Sequence, residues 1–153
     1  TAGFMVRTFI IFHDCGHGSF FAAKKANEIV GILTGILTFT PWARWWHDHA
    51  IHHATAGDLD RRGVGDVYTM TVKEYLAAPW WKKAGYRLMR NPFNMFVIGA
   101  PIVFAIVQRF YLTGTGRRER ASVWWTNLAL VVLIGLLIWL VGWKPVRRSA
   151  LMP

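Results

Sequence analysis

The sequence predicts an all-α protein, an integral membrane helical bundle, and three observations lead to this prediction. Of the 153 residues, 54% are hydrophobic and 15% are aromatic, which is more than an average soluble domain contains. The apolar residues form long blocks without charges, as membrane-spanning helices do. The basic residues, which give a formal net charge of +10, flank these blocks. We therefore expect them to meet membrane lipid headgroups and expect no nucleic acid partner.

The first predicted element is a helix over residues 1–17. Its apolar opening, TAGFMVRTFIIF, is typical of the end of a membrane helix. Neither an initiator Met nor a signal-peptide pattern precedes it. We therefore expect a truncated helix here, and a chain that is a fragment of a longer protein.

Residues 29–43 form the next apolar block, which is too short to cross a bilayer as a helix. It contains 15 uncharged residues between Glu28 and Arg44. A helix of that length reaches about 22 Å, against the roughly 30 Å of a bilayer core. Pro41 also limits its helical length. We predict a re-entrant or interfacial segment, which returns the chain to the side from which it came.

Two longer blocks predict transmembrane spans at about residues 91–112 and 123–143. The first contains 18 uncharged residues, Asn91 to Gln108, and Pro101 within it is tolerated in a membrane helix. The second contains 21 residues without a charge. Its terminal tryptophan pairs lie about 25 Å apart along a helix, the separation of interfacial aromatic belts. A buried helix of a soluble core is the alternative, but this chain is too short to surround one.

The polar segments between the blocks predict the orientation of the chain and one further helix. Seven basic residues lie in the loop 54–90, three follow the last span, and three lie in the short connection 113–122. Because cytosolic loops carry an excess of Lys and Arg, we predict that the large loop and the C-terminal side face the cytosol. Thr71 and Glu74 have the spacing of a capping box and predict a short interfacial helix, with a solvated loop as the alternative.

The six histidines lie in two short clusters, HDCGH from His13 to His17 and HDHAIHH from His47 to His53. A separation of four residues puts His13 and His17 on one face of a helix, one turn apart, where two imidazoles reach one metal ion. Asp14 is able to orient a ligating imidazole. Cys15 points elsewhere around the helix and is a poor candidate ligand.

In the second cluster, His49, His52 and His53 also lie near one helical face. His52 and His53 diverge by about 100°, so they are able to address two different metal ions. His47 faces away from them, and we interpret it as a residue that supports the site or lies at the interface. Histidine-rich sites suit iron, copper or zinc, and the sequence does not choose among these metals by affinity.

Three segments closely resemble the membrane fatty acid desaturases of the bacterial and plant omega type: HDCGHGSFF, TPWARWWHDHAIHHATAGDLDRRGVGDVYTMTVKEY and YRLMRNPFNMFVIGAP. This resemblance implies a multi-pass helical membrane bundle with a cytosolic cap, in which histidine boxes hold a di-iron centre. By position, His13 and His17 look like the first box, and His49, His52 and His53 look like the second. No histidine follows His53, so the third box of the family is missing and we expect an incomplete site in this fragment.

The same resemblance implies the reaction and its partners. Such enzymes use dioxygen and two Fe ions, take electrons from a ferredoxin or a cytochrome b5-like donor, and leave a cis double bond in an acyl-lipid or acyl-thioester. A fatty acid hydroxylase, ketolase or conjugase on the same scaffold stays an alternative, because the boxes do not separate these outcomes. A membrane zinc metalloprotease is disfavoured, because Asp14 is shorter than the glutamate of HExxH. A metal carrier is disfavoured because the predicted spans contain no histidine.

Overall fold

The computed structural model describes residues 2–63, 67–111 and 114–149, and every regular element within these ranges is a helix. The all-α part of the prediction is confirmed. The α-helices in these ranges are α1 (Ala2–Gly16), α2 (Lys24–Leu37), α3 (Trp42–Thr55), α4 (Val72–Ala77), α5 (Trp80–Arg90), α6 (Ala100–Ala105) and α7 (Arg117–Ser149). A π-helical turn, Asn94–Gly99, precedes α6, and a 3-10 turn, Val107–Arg109, follows it.

Helices α1, α2 and α3 form a folded-back unit that brings the two histidine segments to the same end. Helix α2 packs along α1, and a turn at residues 38–41 reverses the chain into α3. Phe39 in this turn has a φ of 58°, the left-handed conformation that closes tight turns. Helix α2 has 14 residues, about 21 Å, which is less than a bilayer core. Insertion of this hairpin into a bilayer from one side stays a prediction.

A glycine of α2 allows the reversal to pack tightly. A Cβ atom at Gly35 would lie 2.6 Å from the backbone oxygen of Thr40 and 2.9 Å from the ring of Phe12. Phe12 is fully buried and meets the ring of Trp42 edge-on, with the ring centroids 5.5 Å apart. The buried cluster consists of Phe12, Cys15, Trp42 and Ala43. This core therefore lies next to the first histidine cluster in the chain and supports it.

Helix α7 is long and apolar enough to cross a membrane over Arg117–Val141, the one straight helix of the described residues for which this holds. It begins before the predicted start at residue 123, because arginine and glutamate are good helix formers and Glu119 suits the first turn of a helix. Val123 and Leu130 are buried. The hydroxyl of Ser122 accepts a hydrogen bond from the backbone N–H of Ala43, 3.0 Å away, so α7 is attached to the start of α3.

The beginning of α7 lies at the histidine end of the structure, whereas the count of loop charges predicted the opposite side for the connection 113–122. Arg118 pairs with Glu28 in α2 at 3.2 Å, and it lines the same cleft as His17. Ser122, one turn later, contacts the start of α3, so α7 runs antiparallel to α3 and away from the histidines. The difference arises because an ion pair and a hydrogen bond to α2 and α3 hold the beginning of α7 at the histidine end. A count of loop charges does not include contacts between distant segments.

The predicted span at 91–112 differs from a single straight helix in the described part of the chain. It is divided into the π-helical turn, α6 and the 3-10 turn, and the axis bends by 69° between α5 and the segment Asn94–Arg109. Pro92 forces Asn91 into an extended conformation, and Pro101, which lacks an N–H, follows the widened turn. Only if this bent pair is one span do the described residues contain a second candidate membrane span, so the multi-helix membrane bundle stays a prediction.

The capping box at the start of α4 is confirmed, and the alternative of a solvated loop is wrong. The side-chain oxygen of Thr71 accepts from the backbone N–H of Glu74 at 3.1 Å, and the Glu74 carboxylate accepts from the backbone N–H of Thr71 at 2.7 Å. The guanidinium of Arg62 holds both oxygens of this carboxylate, at 2.7 and 3.0 Å. The ion pair between Arg62 and Glu74 therefore connects the loop after the second histidine cluster to the start of α4.

Candidate metal centre

Helices α1 and α3 present their histidines to each other because they run parallel and meet along one face. The ring centroids of His13 and His49 lie 4.9 Å apart, and those of His17 and His53 also lie 4.9 Å apart. One turn earlier on both helices, Phe9 meets Trp45 at 6.0 Å. Residues four apart lie on one helical face, so the spacing of four in each cluster becomes a ladder of ring pairs between the helices.

Four imidazole nitrogens converge between the two helices, those of His13, His17, His49 and His53. The Nε2 atom of His17 lies 3.3 Å from that of His13 and 3.2 Å from that of His49. The Nε2 atom of His49 lies 3.1 Å from that of His53. All four candidate ligand atoms lie within 4.8 Å of one another. The structure thus brings together four of the five histidines that the sequence analysis proposed as metal ligands.

Three of the six separations between these four nitrogens have the length expected of neighbouring ligands on one metal ion. A metal about 2.1 Å from each nitrogen separates neighbouring ligand atoms by about 3.0 Å at right angles and by about 3.4 Å in a tetrahedron. The observed separations of 3.1–3.3 Å fall between these two values. Imidazole donors suit iron, copper and zinc alike, so the geometry fits a metal without naming it. The assignment of these residues as ligands stays a prediction.

Asp14 contacts the ring of His13, and its role in orienting a metal ligand stays a prediction. Its Oδ1 atom lies 3.1 Å from Nδ1 of His13. When Nδ1 donates its hydrogen to this carboxylate, Nε2 of the neutral ring carries a lone pair and no hydrogen. That lone pair is the one directed at His17 and its partners. If His13 is a ligand, as predicted, this contact would direct its Nε2 lone pair towards the metal.

Burial and the neighbouring rings disfavour the protonated forms of two of these histidines, His17 and His49. Burial, followed by the nearby His53, His13, His17 and His52, lowers the pKa of His49 to about 4. Burial, followed by the nearby His13 and His53, also lowers the pKa of His17. An imidazole must be neutral to bind a metal. Burial and crowding therefore favour the neutral rings of His17 and His49, which carry the lone pairs that a metal needs.

The remaining candidates lie around the four-histidine group. The ring of His52 lies 5.8 Å from that of His49 and 5.5 Å from that of His53, but it is not one of the four converging residues. A second metal bound through His52 stays a prediction. His47 lies exposed on another side of α3. Cys15 lies in the core, where burial and the nearby Asp14 raise the pKa of its thiol, so its position agrees with the expectation that it is a poor ligand.

Two tryptophans contribute to the site in a way that the sequence analysis missed, because they resembled ordinary core aromatics. Trp45 stacks on His49 with ring centroids 4.3 Å apart and an angle of 18°, and it meets His13 at 5.8 Å. Trp46 donates from its indole nitrogen to the backbone oxygen of Gly16 at 3.1 Å. The position of Trp45 exactly one turn before His49 was the available signal, since residues four apart on a helix share a face.

A polar cleft opens on one side of the cluster. It has a volume of about 370 Å³ and reaches His17 and Trp46, with Lys24 and Arg118 in its wall. Glu28 also lines this cleft and pairs with Arg118 at 3.2 Å. The open side of the candidate metal centre is therefore water-accessible and basic.

An apolar groove lies on another side, between α5 and the segment that follows it. Its volume is about 630 Å³, and its walls include Leu88, Met95, Ile98, Val103 and Phe104. The ring of Phe104 meets that of Phe9 at 5.7 Å, and Phe9 meets Trp45, which stacks on His49. Three aromatic rings thus connect the groove to the histidines.

Comparison with known proteins finds one family model and several similar proteins. The family model described as "Fatty acid desaturase" matches residues 1–149. A protein of Bacillus subtilis named "Fatty acid desaturase" is 51% identical over 143 residues, which are 94% of this chain and 41% of that protein. The "sn-1 acyl-lipid omega-3 desaturase (ferredoxin)" of Synechocystis is 28% identical over 149 residues, 88% of this chain and 38% of that protein. The chain thus spans about two fifths of the length of these relatives. No solved structure matches significantly.

Proposed function

Because the chain belongs to the fatty acid desaturase family, we propose that the protein which contains it introduces a cis double bond into an acyl chain of a membrane lipid, with dioxygen as co-substrate. The observation that carries this proposal is the convergence of four Nε2 atoms at 3.1–3.3 Å from two helices. A structural role does not require four imidazole nitrogens to meet, since crowded rings repel on protonation. A metal ion would make their arrangement favourable.

We propose that His13, His17, His49 and His53 hold one metal ion and that His52 contributes to a second. Iron, when bound there, would supply the redox chemistry with dioxygen, which no side chain of this protein supplies. Five histidines do not fill two coordination spheres, so a di-iron centre needs ligands beyond those of this chain. Asp14 and Trp45 would fix the ring orientations of His13 and His49, through the hydrogen bond and the stacking described above.

The surroundings of the cluster support an acyl chain as the substrate. The groove lined by Leu88, Ile98 and Phe104 is apolar, and apolar surface favours the removal of methylene groups from water. The protein has to position two neighbouring methylenes, because the reacting carbons carry no group that distinguishes them. We propose that the rings of Phe9 and Phe104 limit how far the chain advances and exclude water from the apolar side of the site.

We propose that the substrate is an acyl-lipid, or else an acyl-thioester, and that an acidic carrier such as a ferredoxin supplies the electrons. The name of the Synechocystis relative gives both an acyl-lipid and ferredoxin. The basic wall of the cleft beside His17, with Lys24 and Arg118, suits the approach of a negatively charged protein. A cytochrome b5-like donor would use the same charges. The histidine end would then face the cytosol.

The test is expression of the full-length protein in a host without this activity, followed by gas chromatography and mass spectrometry of the total fatty acids. We expect a new unsaturated fatty acid, its loss in His49→Ala, and its retention in His47→Ala, which changes an exposed histidine of the same helix. Metal analysis of the purified protein should find iron. An oxygenated product would refute desaturation in favour of hydroxylation, and zinc without iron would refute the redox mechanism.

A further inference from the structure

The hairpin of α4 and α5 is built with its polar side inward. The Nζ atom of Lys83 donates to the backbone oxygen of Leu76 at 2.9 Å, and Nε of Arg87 donates to the hydroxyl of Tyr75 at 2.6 Å. Both cations also lie over the Tyr75 ring, at 5.9 and 5.7 Å from its centroid. Tyr86 packs against Tyr75 with ring centroids 5.8 Å apart. The contacts that join the two helices are therefore made by charged and phenolic side chains.

The apolar side of the same hairpin is turned outward. Trp80 is 80% exposed, Leu76 is 68% exposed and Trp81 is 57% exposed, and neither helix contains a buried residue. On α5, Trp80, Trp81, Ala84 and Leu88 share one half of the helix, while Lys83, Arg87 and Arg90 share the other half. Contiguous exposed apolar surface of this kind marks a contact with a membrane or a protein.

The charge of the hairpin selects between these partners. Residues 72–90 contain five basic residues, Lys73, Lys82, Lys83, Arg87 and Arg90, and one acidic residue, Glu74. Glu74 is already held by Arg62. The ammonium of Lys82 lies 5.3 Å from the Trp81 ring, so a cation stands at the edge of the apolar face. Tryptophan beside lysine and arginine is typical of helices that lie at the boundary between lipid and water.

The direction of the chain after α5 supports the same partner. The axis turns by 69° from α5 into the apolar segment Asn94–Arg109. A helix that lies in the plane of a membrane surface has to turn by a large angle before the chain enters the lipid. The bend at Asn91 and Pro92 has that size and lies between the amphipathic helix and the apolar segment.

We propose that the α4–α5 hairpin lies on the membrane surface beside the histidine end, with Leu76, Trp80 and Trp81 among the acyl chains and with Lys73 and Lys82, at the edge of the apolar face, on the phosphates of anionic phospholipids. The bond between Arg62 and Glu74 connects this anchor to the loop that leaves α3. The hairpin thus holds the second histidine segment at a defined height above the lipid. This surface contact is independent of the reaction proposed for the histidines.

Depth measurements on the full-length protein in lipid vesicles test the apolar face. Trp81 and Arg90 are nine residues apart and lie on opposite sides of α5, so Trp81→Cys and Arg90→Cys form a matched pair for spin labelling in a background without other reactive cysteines. We expect the label at 81 to be accessible to oxygen and protected from a water-soluble nickel complex, and the label at 90 to show the reverse. A label at 81 as open to nickel as that at 90 would overturn the proposal. Protection from both reagents would mean that protein covers this face, and would also overturn it.

The headgroup contact is tested by lipid preference. We expect the full-length protein to retain phosphatidylglycerol over phosphatidylcholine in its boundary layer, as measured with spin-labelled lipids. The double variant Lys73→Gln/Lys82→Gln should lower this preference by about fivefold for each cation. The control Lys25→Gln/Arg61→Gln removes the same charge outside the hairpin and should leave it unchanged. An equal preference in the two variants would overturn the role of the hairpin cations, whatever the enzyme activity of either variant.

Discussion

The contact between Asp14 and His13 leads to a quantitative prediction for metal binding. In Asp14→Ala, His13 loses the acceptor that holds its Nδ1 hydrogen and its ring orientation. Loss of such a carboxylate behind a ligating histidine lowers metal affinity by about 10- to 100-fold. The side chains of His13 and Asp14 are 37% and 43% exposed, so water screens the interaction and replaces part of it. We therefore expect a loss near the lower limit, about tenfold, which is about 1.4 kcal/mol.

Asp14→Ala should not destabilise the fold, so a loss of metal affinity in this variant can be distinguished from a loss of stability. Asp14 lies in the last turn of α1, where a negative charge opposes the helix dipole, so its removal should leave the melting temperature of the metal-free protein unchanged or slightly higher. Asp14→Asn keeps a neutral acceptor and should lose roughly half as much binding free energy as Asp14→Ala.

The assay is a competition titration of the full-length protein against a chelator of known affinity, with Asp48→Ala as the matched control. Asp48 is also adjacent to a candidate ligand and 42% exposed, but its carboxylate faces Arg44 at 3.6 Å. It should keep its metal affinity. The reasoning is refuted if Asp14→Ala binds metal within twofold of the unmodified protein, or if Asp48→Ala loses as much.

Three further predictions concern the supports of the site. Phe12→Ala should lower the free energy of unfolding by about 3–5 kcal/mol, measured by denaturant unfolding in detergent, whereas Phe4→Ala, at an exposed position of the same helix, should change it little. Gly35→Ala should cost about 1–3 kcal/mol through overpacking, whereas Gly3→Ala, with no atom near the new Cβ, should be neutral or stabilising; equal melting temperatures would contradict the packing of the turn. The pKa of Glu74 is lowered from 4.5 to about 2 by Arg62 and Thr71, so its contribution to stability is present above pH 4.5 and is lost as the pH falls towards 2. The protection factors of the α4 amides, which correct for the intrinsic pH dependence of hydrogen exchange, should fall over that range, and in Glu74→Gln they should be low already at pH 7.

Local spacing explains what could be predicted about the site, and the rotation between helices explains what could not. A separation of four residues was enough to put His13 with His17 and His49 with His53. The choice of His53 over His52 for the four-nitrogen group depends on how α1 and α3 are rotated towards each other, which is decided by rings such as Phe9 and Trp45. The spacing of residues within one helix does not indicate how two helices are rotated towards each other. The stacking of Trp45 on His49 lies within α3, and its spacing of four residues was available in the sequence, but a tryptophan at that position fits ordinary core packing equally well.

The fold shows the same division between local and long-range information. The capping box of α4 was predictable because all of its bonds lie within four residues. The segment 91–112 is divided into short helical pieces because of Pro92 and Pro101. Its apolar composition is compatible with these prolines but does not indicate where the chain bends. The side on which α7 begins depends on Glu28 and Arg118, which are far apart in the chain.

The ion pair between Glu28 and Arg118 changes which basic residues lie at the histidine end of the structure. With Arg118 at the histidine end, the three basic residues of the connection 113–122 join the seven of the loop 54–90, against three after residue 143. The count is then ten basic residues against three, the same as in the sequence analysis although the two groups of three have exchanged sides, and cytosolic placement of the histidine end is still favoured. Cysteines introduced separately at Arg61 and Arg117 of the full-length protein should both resist a membrane-impermeant maleimide in intact cells and both react after permeabilisation. Labelling of one but not the other in intact cells would refute the antiparallel arrangement of α3 and α7, and labelling of both would refute the cytosolic orientation.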